Sequence, residues 1–204
     1  MNLLRVIIIL MIGLIPICCK NQTNKTTKLE NENSEKLILK EKKYLITEKG
    51  VHGLFIGDSI PEKLENYKLA KSVKIVEEGN EEPIVNLTEN NVELLQISFE
   101  FNQEKRHFSN KIGEILIKDK RFRTEKNIGV ESTISDFIST YSNYYIWYTY
   151  ISAIYVIQSK DMKIQFILDE NGYIGKKNLM ENDRIELKQE DFSSNTRIVR
   201  IRIY

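Results

Sequence analysis

Histidine, cysteine and closely placed carboxylates are the side chains that most often hold metals or move protons, and this 204-residue chain uses them sparingly. Its two histidines, His52 and His107, lie far apart, and its two cysteines, Cys18 and Cys19, adjoin near the N-terminus. Zinc takes three or four His, Cys or carboxylate ligands; with no cysteine after Cys19 a site would need both histidines to converge with a carboxylate, and no metal is expected. His52 stands beside Gly53 in a turn and His107 ends the charged run QEKRH, so both read as solvated loop histidines. His-Glu-x-x-His, a P-loop, Gly-x-Ser-x-Gly and a dinucleotide fingerprint are all missing. No cofactor and no catalytic residue is therefore assigned. Glu77-Glu78 and Glu81-Glu82 read as solvated surface. A glycosidase needs two carboxylates at a fixed spacing across a cleft, which so acidic a sequence cannot display. A glycan-acting envelope enzyme stays as the alternative function.

The aromatic side chains are more suggestive. Tyr141, Tyr144, Tyr145, Trp147, Tyr148, Tyr150 and Tyr155 crowd one stretch that also holds the only tryptophan. On a strand, alternate residues face opposite ways, so Tyr144, Tyr148 and Tyr150 share one side and Tyr145 and Trp147 the other. One side can pack on a core. The other, if open, offers amphipathic rings to a sugar, peptide or protein, which makes Tyr144, Tyr145, Trp147, Tyr148 and Tyr150 the candidate binding surface. The competing reading covers both sides, since Tyr also pairs well across strands. Arg197, Arg200 and Arg202, interspersed with Ile and Val, read as a charged edge strand that discourages aggregation.

These residues require a sheet to position them. Leu95, Ile97, Phe99 and Phe101 recur with period two within Val92 to Phe101, as in a strand that buries one face. Ile112 to Lys118, Tyr144 to Gln158, Met162 to Leu168, Arg184 to Leu187 and Arg197 to Ile203 are also rich in β-formers. Asp169-Glu170-Asn171-Gly172 before Tyr173-Ile174 predicts a type I′ hairpin. Ser59-Ile60-Pro61-Glu62 has the form of a capping box, and Thr133-Ile134-Ser135-Asp136 repeats it with Asp for Glu. Each predicts a short helix, the second running to about Tyr141. The expected fold is thus α+β, mainly antiparallel sheet with two short helices. Aligning Ile60 with Ile134 pairs Ile56 with Val130 and Leu64 with Ile138, as a tandem helix-plus-strands repeat with halves 37–110 and 111–204 would. Chance is the competing account, because capping boxes are common.

Ahead of this domain, Met1 to Arg5 carries one positive charge and Val6 to Ile17 is apolar apart from Gly13 and Pro16. A membrane-spanning helix takes roughly 20 apolar residues, so the run has the length of a signal-peptide core. An uncleaved anchor is the alternative. The cysteines that end it resemble the lipobox of bacterial lipoproteins, in which a small residue precedes the acylated cysteine. Cys18 before Cys19 fits and Ile17 before Cys18 does not, so residues 1–19 are expected to end at a lipidated, palmitate-type Cys19, with Cys18 as the alternative. Pro16 departs from the usual branched residue, and simple signal cleavage is the rival reading. Lys20 to Lys36 is nearly devoid of apolar residues and reads as a disordered tether, because it cannot bury enough surface to offset its ordering entropy. Residues 37–204 form the globular part. Loss of Arg5 balances the 30 basic against 29 acidic residues, leaving no electrostatic footprint for nucleic acid. The location implied is the bacterial cell envelope, with the domain in the periplasm or at the cell surface.

Ile115, Ile117, Phe122-Arg123-Thr124, Ile128-Gly129-Val130, Ser132-Thr133-Ile134 and Asp136 carry a further resemblance. Their order is similar to a motif of uncharacterised envelope lipoproteins, mainly of Bacteroidota: a strand, Phe-x-Thr, Gly-Ile-Gly-Val-Gly-Ser-Thr, then a helix. Ile56-Gly57-Asp58-Ser59-Ile60 and Glu62 resemble the same element. More distantly the helix start resembles small lipoproteins of the BamE (SmpA/OmlA) kind, which are scaffold subunits without catalytic activity. Asn127 and Glu131 stand where the pattern has glycine, and Asn143 near another. The resemblance implies an envelope lipoprotein with a repeated α+β unit, and it transfers no active site. The leading function is a non-enzymatic module that binds or scaffolds a protein or glycan partner, with the aromatic stretch as its contact surface. An inhibitor or immunity lipoprotein with an acidic or aromatic face is a further reading.

Overall fold

In the computed structural model the described residues are 43–76 and 79–204. The expected signal, Cys18 and Cys19, the tether and Glu77-Glu78 lie outside them. The chain forms β1 (Leu45–Thr47), β2 (Gly50–Val51), β3 (Leu54–Phe55), β4 (Lys68–Ile75), β5 (Glu81–Glu89), β6 (Val92–Asn102), β7 (His107–Ile117) and β8 (Arg123–Thr124). There follow helix α1 (Ile134–Thr140), β9 (Tyr144–Thr149), β10 (Ile154–Ser159), β11 (Ile164–Leu168), β12 (Arg184–Leu187) and β13 (Ile198–Ile203). Nine strands make one sheet in the order β12-β9-β10-β11-β13-β7-β6-β5-β4, and β3-β2-β1-β8 make a second. Every pairing in the large sheet is antiparallel, whereas β1 and β8 run parallel.

Period-two patterning explains the large sheet. Leu95 and Ile97 on β6, Ile115 and Ile117 on β7, Ile157 on β10, Phe166 on β11 and Ile201 and Ile203 on β13 are fully buried in one core. Helix α1 adds Ile134 and Phe137 to it, its C-cap adds Tyr141, and the small sheet adds Ile46, Val51 and Leu54. The ring of Phe137 meets Phe166 edge to face at 4.9 Å, which locks the helix onto β11.

The result is a β-rich fold with one α-helix among the described residues, and it overturns the α+β expectation of two helices in tandem. Only the second capping box forms: Asp136 N donates to Thr133 Oγ1 at 3.1 Å and Thr133 N to Asp136 Oδ2 at 2.8 Å. At the first, Ile60 N donates to Asn110 O, Ile112 N to Asp58 O and Gly57 N to Ile112 O. Residues 57 and 58 lie in a turn, and Ser59 is bridged to Lys111 of β7. A helix there would forfeit these bonds. The boundary 110/111 between the supposed halves falls inside β7.

Two other expectations change. Asp169 Oδ1 accepts from Asn171 N and Nδ2 and caps a one-turn 3-10 helix, Glu170–Gly172, in place of the type I′ hairpin. Tyr144 to Gln158 is two strands, β9 and β10, joined by a turn in which Ala153 takes φ 49°.

Candidate functional site

Strand alternation gives the nine-stranded sheet a second face. Ile84, Leu116, Trp147, Val156 and Ile167 are all buried, yet none belongs to the core cluster. Register brings them into rows that cross the strands. Glu186 lies opposite Trp147, Trp147 opposite Val156, Val156 opposite Ile167, and Ile167 opposite Arg200. A parallel row takes Gln165 to Arg202, Arg202 to Leu116, Leu116 to Gln96 and Gln96 to Asn86. Among the described residues, the helix and the small sheet send their buried apolar side chains to the other face.

The candidate aromatic residues divide as their parity requires. Tyr144 and Tyr148 pack against the core, and Tyr148 meets Tyr155 at 4.9 Å between ring centroids. Tyr145 and Trp147 face the second side, with centroids 5.0 Å apart. Arg184, from edge strand β12, lays its guanidinium 4.2 Å from the Trp147 ring centre and 5.4 Å from that of Tyr145. This leaves Trp147 only 5% exposed, so it is a covered ring and not an open platform. Tyr150, in the β9–β10 turn, is 50% exposed. The structure therefore brings together Tyr145, Trp147 and Arg184, with Tyr150 at the strand end, and sends Tyr144 and Tyr148 elsewhere.

Arginines were the missed signal. β13 is an interior strand between β11 and β7, not a charged edge. Its arginines sit there because one face of the strand is core and the other is not: Ile201 and Ile203 point inward, Arg200 and Arg202 outward. The two arginines lie across the strands from Ile167 and Leu116, so their aliphatic stems can cover apolar neighbours, and Nε of Arg202 is itself screened from water. Arg202 Nε lies 3.1 Å from Glu114 Oε2, and its Nη1 donates to Gln165 Oε1 at 3.3 Å. Arg200 and Arg184 make no ion pair among the described residues. Asn86 Oδ1 and Ser98 Oγ, on the same face, are screened from water without a hydrogen-bond partner among the described residues. At one end of the face a hollow of about 440 Å³ opens over Ile154, Ile167 and Val199, with Lys118 and Arg200 beside it.

The histidines separate too. His107 is exposed, its Nδ1 3.0 Å from Phe108 O. His52 is not the solvated loop residue expected, because its ring lies edge-on to Tyr67 at 4.6 Å and to Phe122 at 6.3 Å, and stacks near Tyr44 at 6.3 Å. It takes φ 58° so that Nδ1 can donate to Lys43 O at 3.0 Å. Burial lowers its pKa below the ordinary histidine value. Around it Arg121 pairs with Glu89 and with Asp119, and Lys43 lies 4.9 Å from the Tyr67 ring centre. Each charged group in this cluster has a partner, as befits a structural clasp between the small sheet and the large one. No group of three or more His, Cys, Asp or Glu among the described residues could hold a metal.

No known protein family matches this sequence, and no curated protein does. The fold is similar to the crystal structure of the uncharacterised protein yfeY from Escherichia coli, with a TM-score of 0.54, 16% identity, and coverage of 78% of this chain and 98% of that one. At that identity the likeness is one of fold alone.

Proposed function

We propose that this protein is a non-enzymatic binding or scaffold module of the bacterial cell envelope, held to a membrane by a lipid on Cys19. Its contact surface is the second face of the nine-stranded sheet. One observation carries the reading: a sheet face outside the core bears apolar side chains in cross-strand rows, bordered by Arg184 and Arg200, which have no ion pair among the described residues. The apolar residues of those rows are themselves covered, so what the face offers a partner is its border of Tyr145, Tyr150, Arg184 and Arg200, residue types enriched at interfaces.

The glycan-acting alternative asks for a carboxyl held protonated by its surroundings. The carboxyls of Glu89, Asp119 and Asp136 are instead pushed down, the first by Arg121, the second by Arg121 and its backbone N–H against the opposing effect of burial, and the third by the Thr133 backbone N–H. These serve ion pairs and a helix cap.

A photo-crosslinking side chain at Tyr145, introduced into the full chain in its native envelope, tests the contact surface. It should capture one discrete partner that the same group at exposed Lys105 does not. Equal or no capture at both positions removes the reading. Palmitate labelling should be lost in Cys19→Ser and kept in Cys18→Ser; labelling that survives both changes removes the anchor.

A further inference from the structure

We propose that the free edge of β4 takes up an extended segment of a partner protein as an added strand, apolar at one end and acidic at the other. This edge lies apart from the rows that hold Trp147 and Arg200. Of the two edges of the large sheet, β12 is short, four residues, and Lys177 Nζ donates to its Glu186 O. β4 has eight residues and no described strand beyond it. Val76 N donates to Asn80 O at 2.8 Å and closes the β4–β5 hairpin. Hydrogen-bonded and open positions alternate from there, so Leu69, Lys71, Val73 and Ile75 turn their N–H and C=O groups outward. Pro83, which has no N–H to give, lies opposite Val73 and agrees with that phase. Outward backbone groups in a row are the template on which a strand adds.

The side chains set what that strand must carry. Leu69 packs against the core, so the odd-numbered residues of β4 face the core side and the even-numbered ones the other. On the core side Val73 is 52% and Ile75 75% exposed, although both are apolar. They continue an apolar strip past the end of the core: Val73 lies opposite Pro83, and half-exposed Phe101 of β6 meets Phe108 of β7 at 5.1 Å. Toward the start of β4 the edge becomes cationic. Lys71 on the core side and Lys68 on the other are exposed and make no ion pair among the described residues, whereas Lys74 is held by Glu82 at 2.8 Å. Of the acids nearby, Glu81 stands opposite Ile75 at the apolar end, Glu89 is held by Arg121, and Glu65 lies in the link before Tyr67. Lysines on an edge keep like edges apart, and two copies joined through β4 would bring their three lysines each together. Lysine does not account for the bare valine and isoleucine beside it. An acidic residue across from Lys71 and apolar ones across from Val73 and Ile75 complement both.

Fluorescence anisotropy of a labelled peptide, VTVTETVE, titrated with the purified full chain tests the proposal. Placed antiparallel, like every pairing of the large sheet, its valines meet Ile75, Val73 and Leu69 and its glutamates meet Lys71 and Lys68. Saturable binding is expected, with at least tenfold weaker binding of VTVTKTVK. Lys71→Glu should erase that preference. N-methylation of the third peptide residue, whose amide faces Val73, should abolish binding, while N-methylation of the fourth, whose amide faces away, should leave most of it. Val73→Pro, at an edge position whose N–H serves no ladder bond, should lose the peptide and keep the circular dichroism of the native chain. No saturable binding, equal binding of the two peptides, or equal loss from the two methylations overturns the proposal. So does a dimer in sedimentation velocity that Val73→Pro dissolves, which gives the edge to a second copy. Capture at Tyr145 stands or falls independently of these outcomes.

Discussion

The guanidinium of Arg184 lies 4.2 Å from the centre of the Trp147 ring, across the edge of the sheet from β12 to β9. A cation over an indole face near the surface contributes roughly 0.5–1 kcal/mol. Here it also decides whether the only tryptophan is covered. Arg184→Ala should shift Trp147 emission to longer wavelength and lower stability by no more than about 1 kcal/mol, while capture from Tyr145 falls. An unchanged emission maximum in the folded variant would show that the arginine does not cover the ring.

Strand patterning was legible because a sheet buried on one side alternates its residues. Leu95 and Ile97 showed it plainly, and so did Tyr144 and Tyr148 against Tyr145 and Trp147. The helix at Thr133 was legible for a different reason: its cap is local, closed by Asp136 three residues on. Ser59 carries the same local pattern, yet it is bridged to Lys111 and its neighbour Ile60 donates to Asn110 O, about fifty residues away. Local spacing contains no information about that partner. Arg200 and Arg202 misled in the same way, since an interior strand with one open face and an edge strand share one alternation. His52 was read as solvated because the rings that enclose it, Tyr67 and Phe122, are distant in sequence.

Asn127 takes φ 62° and Glu131 φ 71°, both in the left-handed region, in the loop that leads into α1. These are the positions at which the resembling lipoprotein motif has glycine. A left-handed backbone costs a non-glycine residue about 1–2 kcal/mol, partly offset by the extra chain entropy of glycine in the unfolded state. The Glu131–Lys120 contact at 3.4 Å is exposed and adds little. Glu131→Gly should therefore be neutral to stabilising, by up to about 1 kcal/mol in urea unfolding. Gly129→Ala should do the reverse, because its Cβ would meet Phe122 O at 2.3 Å; overpacking of this kind costs about 1–3 kcal/mol. A loss of stability in Glu131→Gly equal to that of Gly129→Ala counts against the strain argument.

His52 predicts a pH dependence with a definite sign. Its folded pKa is lowered chiefly by burial, with Lys43 adding repulsion and with the bond to the Lys43 carbonyl and the charge of Glu89 opposing. Above the ordinary histidine value of about 6.5 both folded and unfolded forms are neutral, so this residue gives no slope. Below it the unfolded chain takes up the proton first, so stability falls as the pH drops from about 6.5 toward the lowered folded value. The carboxyls of Glu89 and Asp119 act only at lower pH, since their folded values are also lowered. Unfolding midpoints in urea between pH 8 and 5.5 should decline in the native protein. In His52→Phe, which keeps the ring packing against Tyr67, the decline should be nearly absent; an equal decline in both proteins assigns it elsewhere.

The cap of α1 tests how far a local signal holds this fold together. Thr133 Oγ1 takes the Asp136 N–H and Asp136 returns the bond, which holds the Asp136 carboxyl below its ordinary pKa. Removing an N-cap side chain costs about 0.5–2 kcal/mol, so Thr133→Ala should lower stability by roughly 1 kcal/mol at neutral pH. Asp136→Asn should lose only the charged part of the box, and its deficit should vanish as the pH falls through the folded pKa of Asp136, where the native carboxyl is neutral too. The helix is short, seven residues, and rests on Phe137 and Ile134 in the core. If Thr133→Ala instead unfolds the whole sheet, measured as loss of β signal in circular dichroism, then the cap governs docking of α1 onto β11 and not the helix alone.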